Sequence, residues 1–437
     1  MTATRASALS VCVIGGGPLG IGLGRELSEG GIDYDLYEQE SDLGGVWNTD
    51  APCGRTYPSL HLISPKFNTQ VPDFPMPDHY PAYPNHKMML DYIRSYARHF
   101  GVYDHAHCNT GVTWIEPDGD GWNVELSTGA TRRYDIVAVC NGAQRVPHYP
   151  KPPYPGTFSG EVLHTADYKN PSQIAGKRVL VIGAGNSGCD VAVDAVHHAV
   201  SVHHSTRRGY HYYPKFIDGK PTPQWMLQLG TKFTSKEETS AYIQKVFKLA
   251  GFDGTDFGLP APDHPIDAAH PIMNSQILYH IGHGDIATVG DVAGFDDLTV
   301  RFKDGHEAEI DIIVYATGYD RHFPFIDPDI LDWKDGIPDL FIHIVPRNLN
   351  NLFFFGFVNA AAGLGDGMRL QGQFVRSYVR AFENQTLGYQ KFVAAKAQDD
   401  PDLGQDYFVD SRRHTWEVDF WKFIRHARYY REMLDDD

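Results

Sequence analysis

Cysteine is scarce in this chain, and no two cysteines lie near each other. Five occur in 437 residues, at Cys12, Cys53, Cys108, Cys140 and Cys189. That spacing builds no C-x-x-C redox pair and no zinc knuckle. The odd, scattered set reads as reduced thiols in a cytoplasmic protein. Positive charge is also short: 38 Lys and Arg stand against 55 Asp and Glu, a net charge of −17. Such a balance disfavours nucleic acid or an anionic membrane as the main partner. No apolar run is long enough to cross a bilayer. The opening "MTATRASALSVCVIGGG" enters a strand too soon for a signal peptide. The 22 histidines show no ligand spacing on one face, so no metal is expected. Solenoid repeats and low-complexity tracts are missing as well.

What is present is a globular composition, 42% apolar and 13% aromatic, in a chain long enough for two domains. Two stretches share one grammar. In "LSVCVIGGGPLGIGLGRELSEGGIDYDLYEQE" an apolar strand from Leu9 to Ile14 meets Gly15, Gly17 and Gly20. A helical pattern follows to about Glu29, then a second strand ending at Glu38. In "KRVLVIGAGNSGCDVAVDAVHHAVSVHHSTRRG" a strand over 178–182 meets Gly183, Gly185 and Gly188, then a helix and a strand ending near Ser205. The runs 134–142 and 310–320 each read as a buried strand entering a glycine turn after hairpin-like sequence. The predicted fold is α/β, with two Rossmann-like dinucleotide-binding domains. The second, 156–320, is inserted into a discontinuous first domain, 1–155 and 321–437. A Pro-rich hinge at 146–156 marks one crossing. The last helix, near the C-terminus, reads as a surface helix.

Charge tells the two turns apart. In the first, Gly15 allows the bend, Gly17 lets backbone approach a pyrophosphate, and Gly20 lets helix pack on strand. Glu38 lies where a carboxylate accepts ribose hydroxyls and would repel a 2′-phosphate, so this site suits FAD or NAD. The matching place in the second turn has no acid but reads His203, His204, Ser205, Thr206, Arg207, Arg208. Guanidinium forks and hydroxyls suit a phosphate. NADPH is assigned there, with Arg207 and Thr206 or Ser205 on the 2′-phosphate and Arg208 beside them. The competing reading is a solvated basic loop.

Between the turns lies Phe158-x-Gly160-x-x-x-His164-x-x-x-Tyr168. This pattern resembles the fingerprint of the flavin-containing monooxygenases. Baeyer–Villiger monooxygenases carry a similar one that usually ends in Trp. Other matches follow in the family's order: "GGGPLG" (15–20), "LGGVWN" (43–48), "PDFPMP" (72–77), "GAGNSG" (183–188), "STRRG" (205–209) and "ATGY" (316–319). The resemblance implies FAD in the first domain and NADPH in the second. It implies hydride transfer to flavin, a C4a-(hydro)peroxide formed with O2, and one oxygen atom passed to an amine or sulfide. Gly45 and Trp47 would then contact the flavin, Thr317 and Gly318 would lie at the cofactor cleft, and a helix starting near Met368 would point at the flavin. Asn274 and Gln276 would approach the nicotinamide. From the residues themselves, Phe158 and Tyr168 would pack the segment down and Gly160 admit a turn. His164 would hold backbone rather than transfer protons.

One departure stands out. Many family members carry an Asn whose amide faces the flavin, and counting back from "PDFP" puts Ile63 there, which donates no hydrogen bond. His61, Ser64 and Asn68 are the candidate replacements, with a surface-loop role equally open for them. Alternatives to amine or sulfide oxidation are Baeyer–Villiger oxidation of ketones, NADPH oxidase or flavin reductase activity without oxygen transfer, and a non-catalytic redox sensor. A disulfide reductase on this fold is disfavoured by the lack of C-x-x-C. A homodimer is left open.

Overall fold

Apolar runs with no polar alternation suit strands covered on both faces, and here they alternate with helices. The computed structural model describes residues 9–436, except 231, 234, 335 and 360–362. The elements that place the site are, in order, β1 (Ser10–Ile14), α1 (Pro18–Glu29), β2 (Asp33–Tyr37) and α2 (His86–His99). Then come β3 (Ile136–Val139), β4 (Glu161–His164), β5 (Arg178–Ile182), α3 (Asn186–Val196) and β6 (Ser201–Ser205). They are followed by β7 (Ala287–Val289), β8 (Ile312–Tyr315), β9 (Leu352–Phe354), α4 (Leu364–Asn384) and α5 (Phe420–Asp435).

These strands form two five-stranded parallel sheets. The first runs β9-β3-β1-β2 and ends on the short strand Ala106–His107. The second runs β4-β8-β5-β6-β7. In both, the strand entering the glycine turn sits at the centre, with its βαβ partner on one side and a later strand on the other. Each sheet also has an antiparallel companion: strands over 112–134 beside the first, and strands over 292–309, joined by Gly156–Phe158, beside the second.

The chain crosses between the sheets twice, and the crossings are tied together. Val146–Pro147 pairs antiparallel with Tyr319–Asp320. His148 N donates to Gly318 O at 2.9 Å, and the Thr317 hydroxyl donates back to His148 O.

Two expectations shift in detail. The helix expected near Met368 starts one turn earlier, at Leu364. Its approach, Ala360–Ala362, lies outside the described residues. The C-terminal helix α5 is not merely on the surface. Its residues Phe423, Ile424, Ala427, Tyr430 and Leu434 recur at helical spacing and are buried in the first domain's core. On α2, Met89, Tyr92, Ile93 and Tyr96 face that same core, with Met88 at its edge.

Candidate functional site

The first four N–H groups of a helix have no intrahelical partner, and proteins commonly answer them with a side-chain cap. Among the described residues, seven helices have eight residues or more, and they divide cleanly. Asn85, Ser235, Thr386 and Asp419 each cap their helix with a side-chain oxygen. The other three, α1, α3 and α4, open on Gly17, Gly185 and Gly363 with no side-chain cap. Their free donors and positive dipole ends leave three places suited to a negative group.

The two glycine turns are near copies. A Cβ on Gly20 would stand 1.9 Å from Gly15 O, and one on Gly188 would stand 1.9 Å from Gly183 O. Only glycine lets either helix start that close to its strand. Gly15 and Gly183 both take positive φ, at 109° and 115°, against the ends of the neighbouring β3 and β8.

Around the first turn, Glu38 is buried, and its carboxylate accepts from Gly16 N at 2.7 Å and Glu40 N at 2.9 Å. Burial raises its pKa, while those two backbone donors pull it back. Each oxygen keeps a lone pair for a ribose hydroxyl. Gly44 N donates to Gly16 O, and Gly45 lies against Gly17, so the 44–47 turn closes over the loop. Trp47 packs at the edge of the first core. Backbone donors, an acid and close glycines fit the adenine dinucleotide of FAD.

The second turn opens instead into a cleft of about 690 Å³ between the two halves of the molecule. Gly183, Gly185, Ser205, Arg207, Arg208, Thr317 and Gly318 line it. Arg207 is exposed and makes no hydrogen bond or ion pair among the described residues. The other residues assigned with it are less available. Arg208 pairs with Asp263 at 2.5 Å. Ser205 is buried and donates to Gly290 O at 2.7 Å, and Thr206 is buried and absent from the cleft wall. His204 adds no charge: it is fully buried against Gly183 O at 3.1 Å, and burial lowers its pKa to about 4. Of the basic run, Arg207 alone is exposed with no hydrogen bond or ion pair among the described residues. A free guanidinium in the cleft of an acidic protein fits the 2′-phosphate of NADPH. Asn274 and Gln276 do not reach the cleft wall. Asn274 spends its amide on Asp190, Gln276 N and Ile277 N, while Gln276 is exposed.

The fingerprint segment supplies the edge strand β4, filling the place that β9 takes in the first sheet. Gly160 is needed because a Cβ there would stand 2.6 Å from Asp311 O and 2.5 Å from the Phe158 ring. Phe158 packs on Phe295. His164 is buried at the carboxyl end of β4, and its Nδ1 accepts from Ala166 N at 3.0 Å. Burial lowers its pKa to about 4, against the opposing pull of Asp167 and the Gly318 backbone, so it is a neutral tether. Tyr168 is buried and donates to Asp194 at 2.5 Å. One turn earlier on α3, Asp190 accepts from Tyr57 at 3.1 Å, and the two tyrosine rings lie 5.5 Å apart. Two carboxylates spaced i, i+4 thus fasten the fingerprint and a first-domain loop to one helix.

That loop carries the three candidate replacements for the family's Asn. His61 is exposed and bonds Ser59 O, while Ser64 shares a hydrogen bond with Thr69 at 2.8 Å. Asn68 differs. Its backbone abuts Gly363, where a Cβ would overlap Asn68 O, so it sits at the uncapped start of α4. Its Oδ1 is buried without a hydrogen-bond partner. Ile63 packs in an apolar cluster with Tyr213, Leu229 and Phe247.

Sequence reasoning missed the segment 409–417, which brings Arg412, Arg413 and His414 to the cleft. The adjacent arginines in an acidic stretch were the available signal. No group of three or more potential metal ligands occurs among the described residues. Likewise, no helix there is long and apolar enough to cross a membrane.

Two glycine-turn sheets joined by paired crossings define a two-dinucleotide oxidoreductase. The likeness to known proteins is more specific. A match to the flavin-binding monooxygenase-like family spans residues 8–430. Flavin-containing monooxygenase 5 of Cavia porcellus is 32% identical over 433 residues, 94% of this chain and 80% of that protein. Its Homo sapiens counterpart is 31% identical over 435 residues, with the same shares. The Oryctolagus cuniculus dimethylaniline monooxygenase [N-oxide-forming] 2 is 28% identical over 391 residues, 84% of this chain and 72% of that one. Among solved structures, S-allyl-L-cysteine S-oxygenase from Allium sativum superimposes with a TM-score of 0.65 at 19% identity, covering 99% and 89% of the two chains. ε-Caprolactone-bound cyclohexanone monooxygenase gives 0.70 at 17%, covering 98% and 97%. The chain belongs to the flavin-binding monooxygenase-like family. It is a monooxygenase, an oxidoreductase that uses FAD and NADPH.

Proposed function

We propose that this enzyme inserts one atom of O2 into a soft nucleophile, an amine nitrogen or a sulfide sulfur. The observation that carries the reading is Tyr168, which closes the fingerprint where Baeyer–Villiger enzymes usually have Trp. Its hydroxyl is built into the structure through Asp194. The N-oxide-forming relative points the same way. In this reading residues 1–155 and 321–437 hold FAD and residues 156–320 hold NADPH.

The bound cofactors supply hydride transfer and oxygen activation. The chain's residues bind, orient and exclude water. Glu38 accepts the adenosine ribose of FAD, and the free N–H groups of α1 take its pyrophosphate. Gly45 and Trp47 close the flavin's side. Arg207 takes the 2′-phosphate of NADPH, and Arg208, already paired, supports its charge. Thr317 and Gly318 hold the crossing that joins the two sites. Asn68 is the amide best placed to replace the family's Asn. A lone pair on nitrogen or sulfur needs no general base to accept oxygen, which agrees with His164 being buried and holding Ala166 N through Nδ1. The five free thiols suit a reducing, cytoplasmic setting.

The test supplies NADPH and O2 with a thioether, a tertiary amine or a cyclic ketone, and identifies products by mass. Sulfoxide or N-oxide formed in step with NADPH consumption is expected. Lactone from the ketone without sulfoxide or N-oxide, or hydrogen peroxide alone, contradicts the proposal.

A further inference from the structure

The cleft holds a cation that the second glycine turn does not supply. Arg413 belongs to the segment 409–417, which follows the second crossing and precedes α5. Two hydrogen bonds tie this segment to the first domain: Asn359 N donates to Trp416 O at 2.8 Å, and Val418 N donates to Asn359 O at 2.9 Å. Two others lay it on the second domain: Val409 N donates to Ala268 O at 2.8 Å, and His270 N donates to His414 Nε2 at 3.2 Å. Its own turn is held by Ser411 Oγ with His414 Nδ1 at 2.7 Å and by Thr415 Oγ1 donating to Arg412 O. The segment is therefore a fixed bridge across the cleft.

At its tip, Arg413 lies beside Gly185. A Cβ on Gly185 would stand 3.2 Å from Arg413 Nη1. Of the other arginines lining the cleft, Arg412 pairs with Asp320, Arg208 pairs with Asp263 and Arg321 lies over the Trp416 ring, while Arg207 is the one assigned to the 2′-phosphate. Arg413 is exposed to the cleft and makes no hydrogen bond or ion pair among the described residues. Its charge faces the uncapped N-terminus of α3, a positive dipole end. The buried Glu417 is the carboxylate whose charge bears on Arg413, and the gap between the guanidinium and the helix start still favours an anion. In a βαβ unit that place belongs to the pyrophosphate of the dinucleotide.

We propose that Arg413 binds the pyrophosphate of NADPH from the opposite domain, so that both halves of the enzyme grip one cofactor. The proposal rests on NADPH lying in this cleft. Pyrophosphate is common to NADP⁺ and NAD⁺, whereas the phosphate at Arg207 belongs to NADP⁺ alone. The two arginines therefore leave different signatures.

The experiment is calorimetric titration of the FAD-loaded protein with NADP⁺, NAD⁺ and adenosine 2′-monophosphate, which lacks the pyrophosphate. Arg413→Ala is expected to weaken NADP⁺ and NAD⁺ alike, by about tenfold or more, and to leave the monophosphate unchanged. Arg413→Lys keeps a point charge and should recover part of the loss. Arg207→Ala should weaken NADP⁺ and the monophosphate while sparing NAD⁺. Unchanged NADP⁺ affinity in Arg413→Ala overturns the Arg413 assignment alone. Equal weakening of the monophosphate does so too, since it signals a general disturbance of the cleft. If the unaltered protein binds no NADP⁺, the placement of the cofactor fails and Arg413 falls with it.

Discussion

The two glycine turns share a backbone and differ in almost everything around it. At the first, an acid is buried and bonded to the loop, and a neighbouring turn is folded down over the glycines. At the second, no acid stands at the place matching Glu38, an arginine stands free, and the turn opens into a wide cleft. One built unit has thus been fitted for two tasks. A group held under a closed loop leaves slowly and suits a resident cofactor. A group held in an open, cationic cleft can arrive and depart with each turnover. Electrostatics assigns the nucleotide, and access assigns its exchange.

Matched substitutions separate the two turns most sharply. Gly20→Ala drives a methyl into Gly15 O and should yield protein without bound flavin, seen as loss of the visible absorption band. Gly188→Ala drives the same methyl into Gly183 O and should spare the flavin while abolishing NADP⁺ binding. Loss of flavin from both variants alike would mean that the turns do not act separately.

A smaller effect concerns the strand that distinguishes the second sheet. Gly160→Ala places a Cβ against Asp311 O and the Phe158 ring and should cost about 1–3 kcal/mol of stability, read by denaturant unfolding. A cost near zero would show that β4 can shift to make room.

The smallest predicted effect is on pH dependence. His164 has a folded pKa near 4 against an ordinary 6.5, so the unfolded chain binds its proton first as pH falls. Stability contributed by the neutral ring is complete above pH 6.5 and is lost as pH drops toward 4. His164→Asn keeps an acceptor for Ala166 N and removes the titration. The stability gap between the original protein and this variant should narrow on acidification, by up to about 1.4 kcal/mol per pH unit in that window. A constant gap across the window refutes the neutral-tether role.

Much of this comparison could be read from sequence because it is local. Strand, glycine turn, helix and second strand occupy consecutive residues in each module, and Glu38 and Arg207 sit at fixed offsets from their turns. The insertion was legible because two hairpin-like stretches each led back to a buried strand. Availability was not legible. Ser205, Thr206 and Arg208 have suitable chemistry, but their partners Gly290 and Asp263 and their burial come from distant chain. Asn68 and Gly363 are nearly 300 residues apart, and no local pattern announces their contact. Arg413 was missed for the same reason, since its neighbour Gly185 lies on the other domain.

The central claim is that the second turn recognises its cofactor through a 2′-phosphate on Arg207 while the first does not. Measuring NADPH and NADH dissociation constants for the flavin-loaded protein, before and after Arg207→Ala, tests it most directly. The account predicts a roughly 10- to 100-fold loss for NADPH, little change for NADH, and full retention of flavin. Equal losses for the two nucleotides, or release of flavin on changing Arg207, would contradict it.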